Sequence, residues 1–278
     1  MKKILTWFLF IVIAVSLSAC KPESKNEAQK NEVETSQEIN EKNKDEKATI
    51  EESKKEEKSK EEIKVKEELV VNKKIVVIDP GHSSNGNKEM EKQSPDADIM
   101  KIKDQGGAQG ISTRTPEYVV NMKVALKLKN LLEQNNITVI MTKTQDTENP
   151  GNIKRAEIGN INNADLSIRI HCDSAESESV RGASMLIPAP IVYAKDISTT
   201  SKKYGQVILK NLISEVGMNN RGVVERSDMT GFNWSKVPVV LVEMGFMSNK
   251  EEDNLLNDDN YQNKLTKGLC NGILESLK

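Results

Sequence analysis

The sequence predicts an α/β domain: one twisted, mostly parallel but mixed sheet, covered by helices on both faces and preceded by a disordered tether. Three observations predict it. Residues 74–79 and 237–243 are unbroken apolar runs rich in β-branched side chains, the pattern of strands buried on both faces. Val120, Val124, Leu128, Leu131 and Leu132 recur at helical spacing between such runs. Strand and helix patterns then alternate to the C-terminus, which implies a sheet layered between helices.

Each element has a local reason. Pro80-Gly81 ends the first strand, and residues 83–113 follow as a polar, glycine-containing stretch without a period. A structureless stretch that long inside a compact domain is functional or disordered. Thr115 suits an N-cap and Pro116 a first helical position, so a helix is expected from there to Asn135-Asn136. Residues 137–142 read as a strand and 152–162 as a short helix. Residues 165–171 read as a strand with Leu166, Ile168 and Ile170 as its apolar set. Residues 182–187 form a further strand, 195–216 a long helix closed by Gly217, and 221–225 a short strand. Pro238 belongs near the start of the 237–243 strand or at an edge. Residues 251–256 and 261–277 are closing helices.

The chain of 278 residues has three compositional segments. Residues 1–20 join Lys2-Lys3, an apolar run and Leu17-Ser18-Ala19-Cys20. That is a secretory signal, too short to span a membrane. Leu-Ser-Ala-Cys resembles a bacterial lipobox, in which Cys20 is lipidated and anchors the chain at the outer face of the cytoplasmic membrane. Residues 21–70 hold 12 Lys, 16 Asp+Glu and no aromatic residue, so they cannot bury enough apolar surface to order themselves. They read as a disordered tether. Residues 71–278 are the globular domain, with 26 basic and 26 acidic residues. Such neutrality leaves no footprint for nucleic acid. The Lys-, Asn-, Glu- and Ile-rich composition points to a Gram-positive surface.

Three cysteines exclude a disulfide framework, and two histidines mean that any metal site draws on carboxylates or cysteines too. Three apolar strands end in polar groups: Asp79-Pro80-Gly81-His82, His171-Cys172-Asp173, and Glu243-Met244-Gly245-Phe246. Ligand sites in α/β sheets lie at the carboxyl ends of strands, so both histidines and Glu243 are placed on one edge. Glu117, in the first turn of a helix, is a fourth candidate.

These motifs, in this order, resemble the zinc-dependent N-acetylmuramoyl-L-alanine amidases of the amidase 3 family. They are Ile78-Asp79-Pro80-Gly81-His82, the run from Ala164 to His171, and the run from Val239 to Asn249. The resemblance covers the whole globular segment. It implies one zinc ion held by His82, Glu117 and His171, with Glu243 as the catalytic base. Two imidazoles and one carboxylate leave a tetrahedral position open for water. It also implies peptidoglycan as the partner, cut between the lactyl group of muramic acid and the first alanine of the stem peptide. A monomer is expected.

Several points stay open on the sequence. Glu89 and Glu91 are rival ligands in the long loop, and the Thr-Pro-Glu-Tyr helix start favours Glu117. Cys172 follows a ligand histidine, so on a strand it points to the opposite face and reads as a small buried side chain. Cys270 falls in the apolar stripe of the last helix, and nothing supports a Cys172–Cys270 disulfide. Arg226, Asn233 and Trp234 are candidate substrate contacts, with a packed loop as the alternative. A non-catalytic wall-binding protein and a stem-peptide metallopeptidase are the competing functions.

Overall fold

The computed structural model describes residues 73–278. The signal and the lipidation of Cys20, and the tether over residues 21–70, lie outside the described residues. Eight strands and six helices are present within them: β1 (Ile75–Pro80), β2 (Asn87–Lys92), β3 (Met100–Asp104), α1 (Glu117–Gln134), β4 (Thr138–Met141), α2 (Asn152–Ile161), β5 (Leu166–Asp173), β6 (Ala183–Pro188), α3 (Lys195–Val216), β7 (Asn220–Arg226), α4 (Thr230–Asn233), β8 (Val239–Phe246), α5 (Lys250–Leu256) and α6 (Asp259–Ser276).

Six strands form one sheet in the order β4-β1-β5-β8-β6-β7. All neighbours are parallel except β6 and β8, which run antiparallel, so the sheet is mixed as expected. The pleat sends alternate residues to opposite faces and thereby sorts them by chemistry. Val76 and Ile78 of β1, Leu166, Ile168, Ile170 and Cys172 of β5, and Val240, Val242 and Met244 of β8 enter one continuous core. Helices α1, α3 and α6 close that core with Val120, Val124, Leu128, Ile208, Leu212, Leu265 and Leu269. Cys270 lies in this core too, and both Cys172 and Cys270 are free thiols.

The opposite face is covered more thinly. Val77 packs with Ala164 and Val237, while Val239 and Leu241 pack with Phe232 and Ile197. Polar side chains on this face include Asp79, Ser167, Arg169, His171, Ser184 and Glu243. Asp79 and Arg169 are direct neighbours across the β1–β5 ladder, as are His171 and Glu243 across β5–β8.

The structure corrects the sequence reading in four places. Residues 83–113 are not structureless, because β2 and β3 form an antiparallel hairpin within them. Glu91 ties its underside down by accepting from the backbone N–H groups of Asn152 and Ile153, at 2.8 and 3.1 Å. A carboxylate there also meets the positive end of α2. Pro116, not Thr115, is the N-cap of α1, with an extended ψ of 146° and no side-chain cap. The N–H of Glu117 is instead satisfied by the Ala108 carbonyl at 2.9 Å. Strands β5 and β8 run past His171 and Glu243 to Asp173 and Phe246, with a register shift between His171 and Asp173. The polar loop before β8 contains the short helix α4.

Asp79 anchors the thin face. It is 2% exposed and bonds Arg155 Nη1, Arg169 Nε at 2.8 Å, and the Thr142 hydroxyl at 2.5 Å. Burial alone would raise its pKa, but the charges of Arg155 and Arg169 and the bond from Thr142 outweigh it and hold the pKa far below the usual range. A depressed carboxyl stabilises the fold fully above its unfolded pKa of about 3.9, and that stability fades as pH falls toward the folded pKa. Asp79→Ala leaves two guanidinium groups without their buried counter-ion and should cost about 3–5 kcal/mol in urea unfolding at pH 7. Asp79→Asn should also flatten the loss of stability below about pH 4, measured by the same titration in acid.

Candidate metal centre

His82, Glu117 and His171 converge at the carboxyl end of the sheet. One donor atom from each lies within 4.8 Å of the others, the only such cluster of three metal-binding side chains among the described residues. Each arrives by a different route. His82 follows β1 with φ +57°, a left-handed conformation that costs about 1–2 kcal/mol outside glycine. The Gly81 N–H donating to the Ile170 carbonyl at 2.9 Å and Lys143 Nζ bonding the His82 carbonyl hold it there. Glu117 opens α1, and His171 comes from within β5. The two imidazole rings meet edge to face, with centroids 4.9 Å apart.

Glu117 is enclosed, with two backbone N–H groups and an amide donating to it and both imidazoles beside it. Oε2 accepts from Ala108 N at 2.8 Å, and Oε1 from Cys172 N and Asn121 Nδ2, both at 3.0 Å. His171 Nδ1 lies 3.2 Å from Oε1 and His82 Nε2 lies 3.4 Å from Oε2. Burial pushes its pKa up. The His171 bond, the charges of His171 and His82, and the Ala108 N–H pull it down to about 2, so it is ionised at neutral pH. His171 is driven the other way. Burial dominates and lowers its pKa to about 4, which leaves a neutral imidazole. Its Nε2 is buried and has no protein hydrogen-bond partner. A neutral imidazole and an ionised carboxylate are the forms that bind a cation.

Two glycines allow this packing. A Cβ on Gly81 would lie 2.2 Å from Cε1 of His171, and one on Gly107 would lie 2.8 Å from both Glu117 Oε2 and the His82 ring.

Asp104, at the end of β3, is a residue that the sequence reading missed. Its Oδ1 is 2.7 Å from His82 Nδ1, so Nδ1 carries the proton and Nε2 is left as the lone-pair nitrogen facing Glu117. Ser83 Oγ donates to Oδ2 at 3.0 Å and Gly106 N to Oδ1 at 3.0 Å. Burial works against ionisation of Asp104, yet the His82 and Gly106 bonds lower its pKa to about 2. A lone aspartate before Gly106-Gly107 was the only hint in the sequence. The hairpin that delivers it has no local signature.

Glu243 stands beside His171 on the next strand and lines a cleft of about 280 Å³ with His82, His171, Arg169 and Asn152. One of its oxygens, Oε2, is shielded from solvent and has no hydrogen-bond partner. Burial, then the charges of Glu117 and Asp173, raise its pKa well above the usual carboxylate range.

The other candidates are placed elsewhere. Glu89 is exposed and pairs with Lys103, and Glu91 is spent on the start of α2. Cys172 points into the core on the opposite face, where burial raises its thiol pKa far above normal. Arg226 is held by both oxygens of Asp228 at 2.8 and 2.9 Å. Asn233 is 3% exposed and donates to the carbonyls of Gln93 and Ser227, while Trp234 Nε1 donates to the Lys92 carbonyl at 3.1 Å. Neither lines the cleft. Together they clamp the hairpin to the domain, which is the packed-loop arrangement.

Comparison with known proteins fits this geometry. The profile of the amidase 3 family, described as N-acetylmuramoyl-L-alanine amidase, matches residues 76–275. A Staphylococcus saprophyticus protein named Probable cell wall amidase LytH is 25% identical over 201 residues, 71% of this chain and 56% of its own. The N-acetylmuramoyl-L-alanine amidase AmiC of Neisseria meningitidis is 22% identical over 236 residues, 72% of this chain and 51% of its own. The chain thus spans about half the length of the curated relatives it matches. Among solved structures, the apo amidase Ami1 of Mycobacterium abscessus superposes with a TM-score of 0.68 at 25% identity, covering 75% of this chain and 100% of that one. The N-acetylmuramoyl-L-alanine amidase of Clostridium difficile 630 gives 0.61 at 26% identity, covering 74% and 97%.

Two substitutions test the centre. Gly81→Ala drives a methyl group into the His171 ring and should abolish binding of an added divalent cation at this cluster, read by titration of the purified, folded protein. Asp104→Asn frees the His82 tautomer and should weaken binding of an added divalent cation by about 10–100-fold in competition with a chromophoric chelator.

Proposed function

Because the chain belongs to the N-acetylmuramoyl-L-alanine amidase family, we propose that its domain hydrolyses the amide between the lactyl group of N-acetylmuramic acid and L-alanine in peptidoglycan. The observation that carries this reading is the convergence of His82, Glu117 and His171, with Glu243 one strand away in the same cleft.

The donor set fits a catalytic zinc ion, with two imidazoles, one carboxylate and a buried His171 nitrogen that no protein group satisfies. When bound there, zinc supplies Lewis acidity toward the amide carbonyl and toward water. The chain's own residues supply the rest. Asp104 orients His82 by accepting from Nδ1. The N–H groups of Ala108 and Cys172 and the Asn121 amide fix the direction of the Glu117 carboxylate. Glu243 accepts the proton of the attacking water and returns it to the leaving nitrogen. Its environment suits both halves of that exchange, since burial and the nearby carboxylates raise its affinity for a proton. Arg169, fixed by Asp79 and Asn152, offsets part of that rise.

We read the whole chain as a lipoprotein, with Cys20 lipidated and residues 21–70 as a tether that lets a monomeric domain work on the wall away from the membrane. Cys20→Ala should release the protein from membranes, followed by fractionation of cells expressing it.

Digestion of purified peptidoglycan followed by mass spectrometry tests the chemistry. Free stem peptides beginning with alanine support amidase action, whereas shortened stems still attached to glycan contradict it. Glu243→Gln should retain zinc and lose about 10²–10⁴-fold in turnover. His82→Ala should lose both metal and activity, and normal zinc content in that variant refutes its assignment as a ligand.

A further inference from the structure

Two grooves flank the end of β3, next to the metal centre. The cleft that holds Glu243 shares Ile102, Asp104 and Gln105 with a second groove of about 380 Å³. That volume lies in the ordinary range for small-ligand sites, roughly 300–1,000 Å³. The second groove is otherwise lined by Ser83, Ser84, Asn85, Gly86, Lys88, Gly106 and Tyr118. The end of β3 therefore forms a ridge between them; His82 lines the cleft, and its neighbour Ser83 lines the second groove.

Their chemistry differs. The cleft is ionic: Lys103, Arg155 and Arg169 are faced by Asp104, Glu243 and the Asp79 carboxylate that the two guanidinium groups share, so fixed charges of both signs line it. The second groove offers hydroxyl and amide groups from Ser84, Asn85 and Gln105, the ring of Tyr118, and a single ammonium from Lys88. Ser84, Asn85 and Gln105 are exposed, so their polar ends are open to a ligand. Tyr118 directly follows Glu117 in the first turn of α1, about 100° further round the helix. One rigid turn thus presents a metal ligand to the centre and an aromatic ring to the groove.

On the amidase reading, the scissile bond joins two unlike arms, and they must leave the metal centre in different directions. The sugar arm is neutral and rich in hydroxyl and acetamido groups, while the stem peptide carries carboxylates. We propose that the Tyr118 groove is a saccharide subsite, which holds the muramic acid and its neighbouring sugar while the stem peptide lies in the ionic cleft beside Lys103 and Arg169. The inference rests on the amidase assignment and adds the orientation of the substrate to it. Hydrogen bonds from Asn85 and Gln105 to sugar hydroxyls, and the Tyr118 ring against a sugar face, distinguish glycan-linked peptide from free peptide.

The test uses the full, zinc-loaded chain, its Tyr118→Ala and Asn85→Ala variants, and two substrates with the same lactyl–alanine amide. One is a disaccharide muropeptide, and the other is a lactoyl peptide without sugar. Each variant should lose about tenfold or more in kcat/KM on the muropeptide, mainly through KM, and remain within about twofold of wild type on the lactoyl peptide. Asn85 lies on an exposed loop and is not next to a metal ligand, so it decides the matter if Tyr118→Ala loses zinc. A wild type that cuts both substrates, with variants that fall equally on both or on neither, overturns the saccharide subsite alone. A wild type that cuts neither substrate overturns the amidase reading, and the subsite with it.

Discussion

The structure is organised around one buried carboxylate. Glu117 is 2% exposed and ionised, a condition that costs several kcal/mol unless every oxygen is satisfied. Here three donors, two of them backbone N–H groups, satisfy it before the imidazoles are counted. Those donors come from the loop after the β2–β3 hairpin, from α1 and from β5. Each of the three segments is therefore fixed relative to the others by the need to solvate a single charge. The histidines complete the arrangement, and the fold is built so that a negative carboxylate and a neutral His171 face each other.

Beneath it lies a second compensated charge. Asp79 draws Arg155 of α2 and Arg169 of β5 onto the thin face of the sheet, where little apolar surface is available. Arg169 goes on to bond Asn152, whose backbone N–H is in turn capped by Glu91 of the hairpin. Asp253 plays a similar part on the other side. It is fully buried, accepting from the N–H groups of Ser112 and Thr113 and from the Thr113 hydroxyl, and so it ties the segment before Glu117 to α5. The site is held by polar contacts that are individually costly to break, while the apolar core behind the sheet holds the fold as a whole.

Much of this was legible in the residues. The apolar runs at β1 and β8, the alternation in β5, the stripe along α1 and the stop at Gly217 place the main elements within a few residues of their observed ends. Both histidines and Glu243 follow the apolar runs of their strands and so fall toward the carboxyl end of the sheet, although β5 and β8 run a few residues beyond His171 and Glu243. The hairpin escaped notice because β2 carries no alternation and the alternating Met100-Lys101-Ile102-Lys103 of β3 is only four residues long, with its apolar members exposed. Asp104 escaped with it, since a carboxylate that matters only through His82 has no spacing of its own. Asn233 and Trp234 looked like binding residues because amides and indoles are good at binding; here they bind the hairpin backbone.

What the sequence determined by itself is the sheet, its covering helices and the chemical identity of the cluster, because hydrophobic periodicity and residue type are local properties. What only the tertiary structure decided is which atoms face which: Nδ1 of His82 toward Asp104, Nε2 toward Glu117, Glu243 beside His171, and a second groove beyond the ridge at Asp104. Those depend on contacts between residues far apart in the chain, some of them separated by more than fifty positions, where the balance of burial, charge and hydrogen bonding is set by the packed whole.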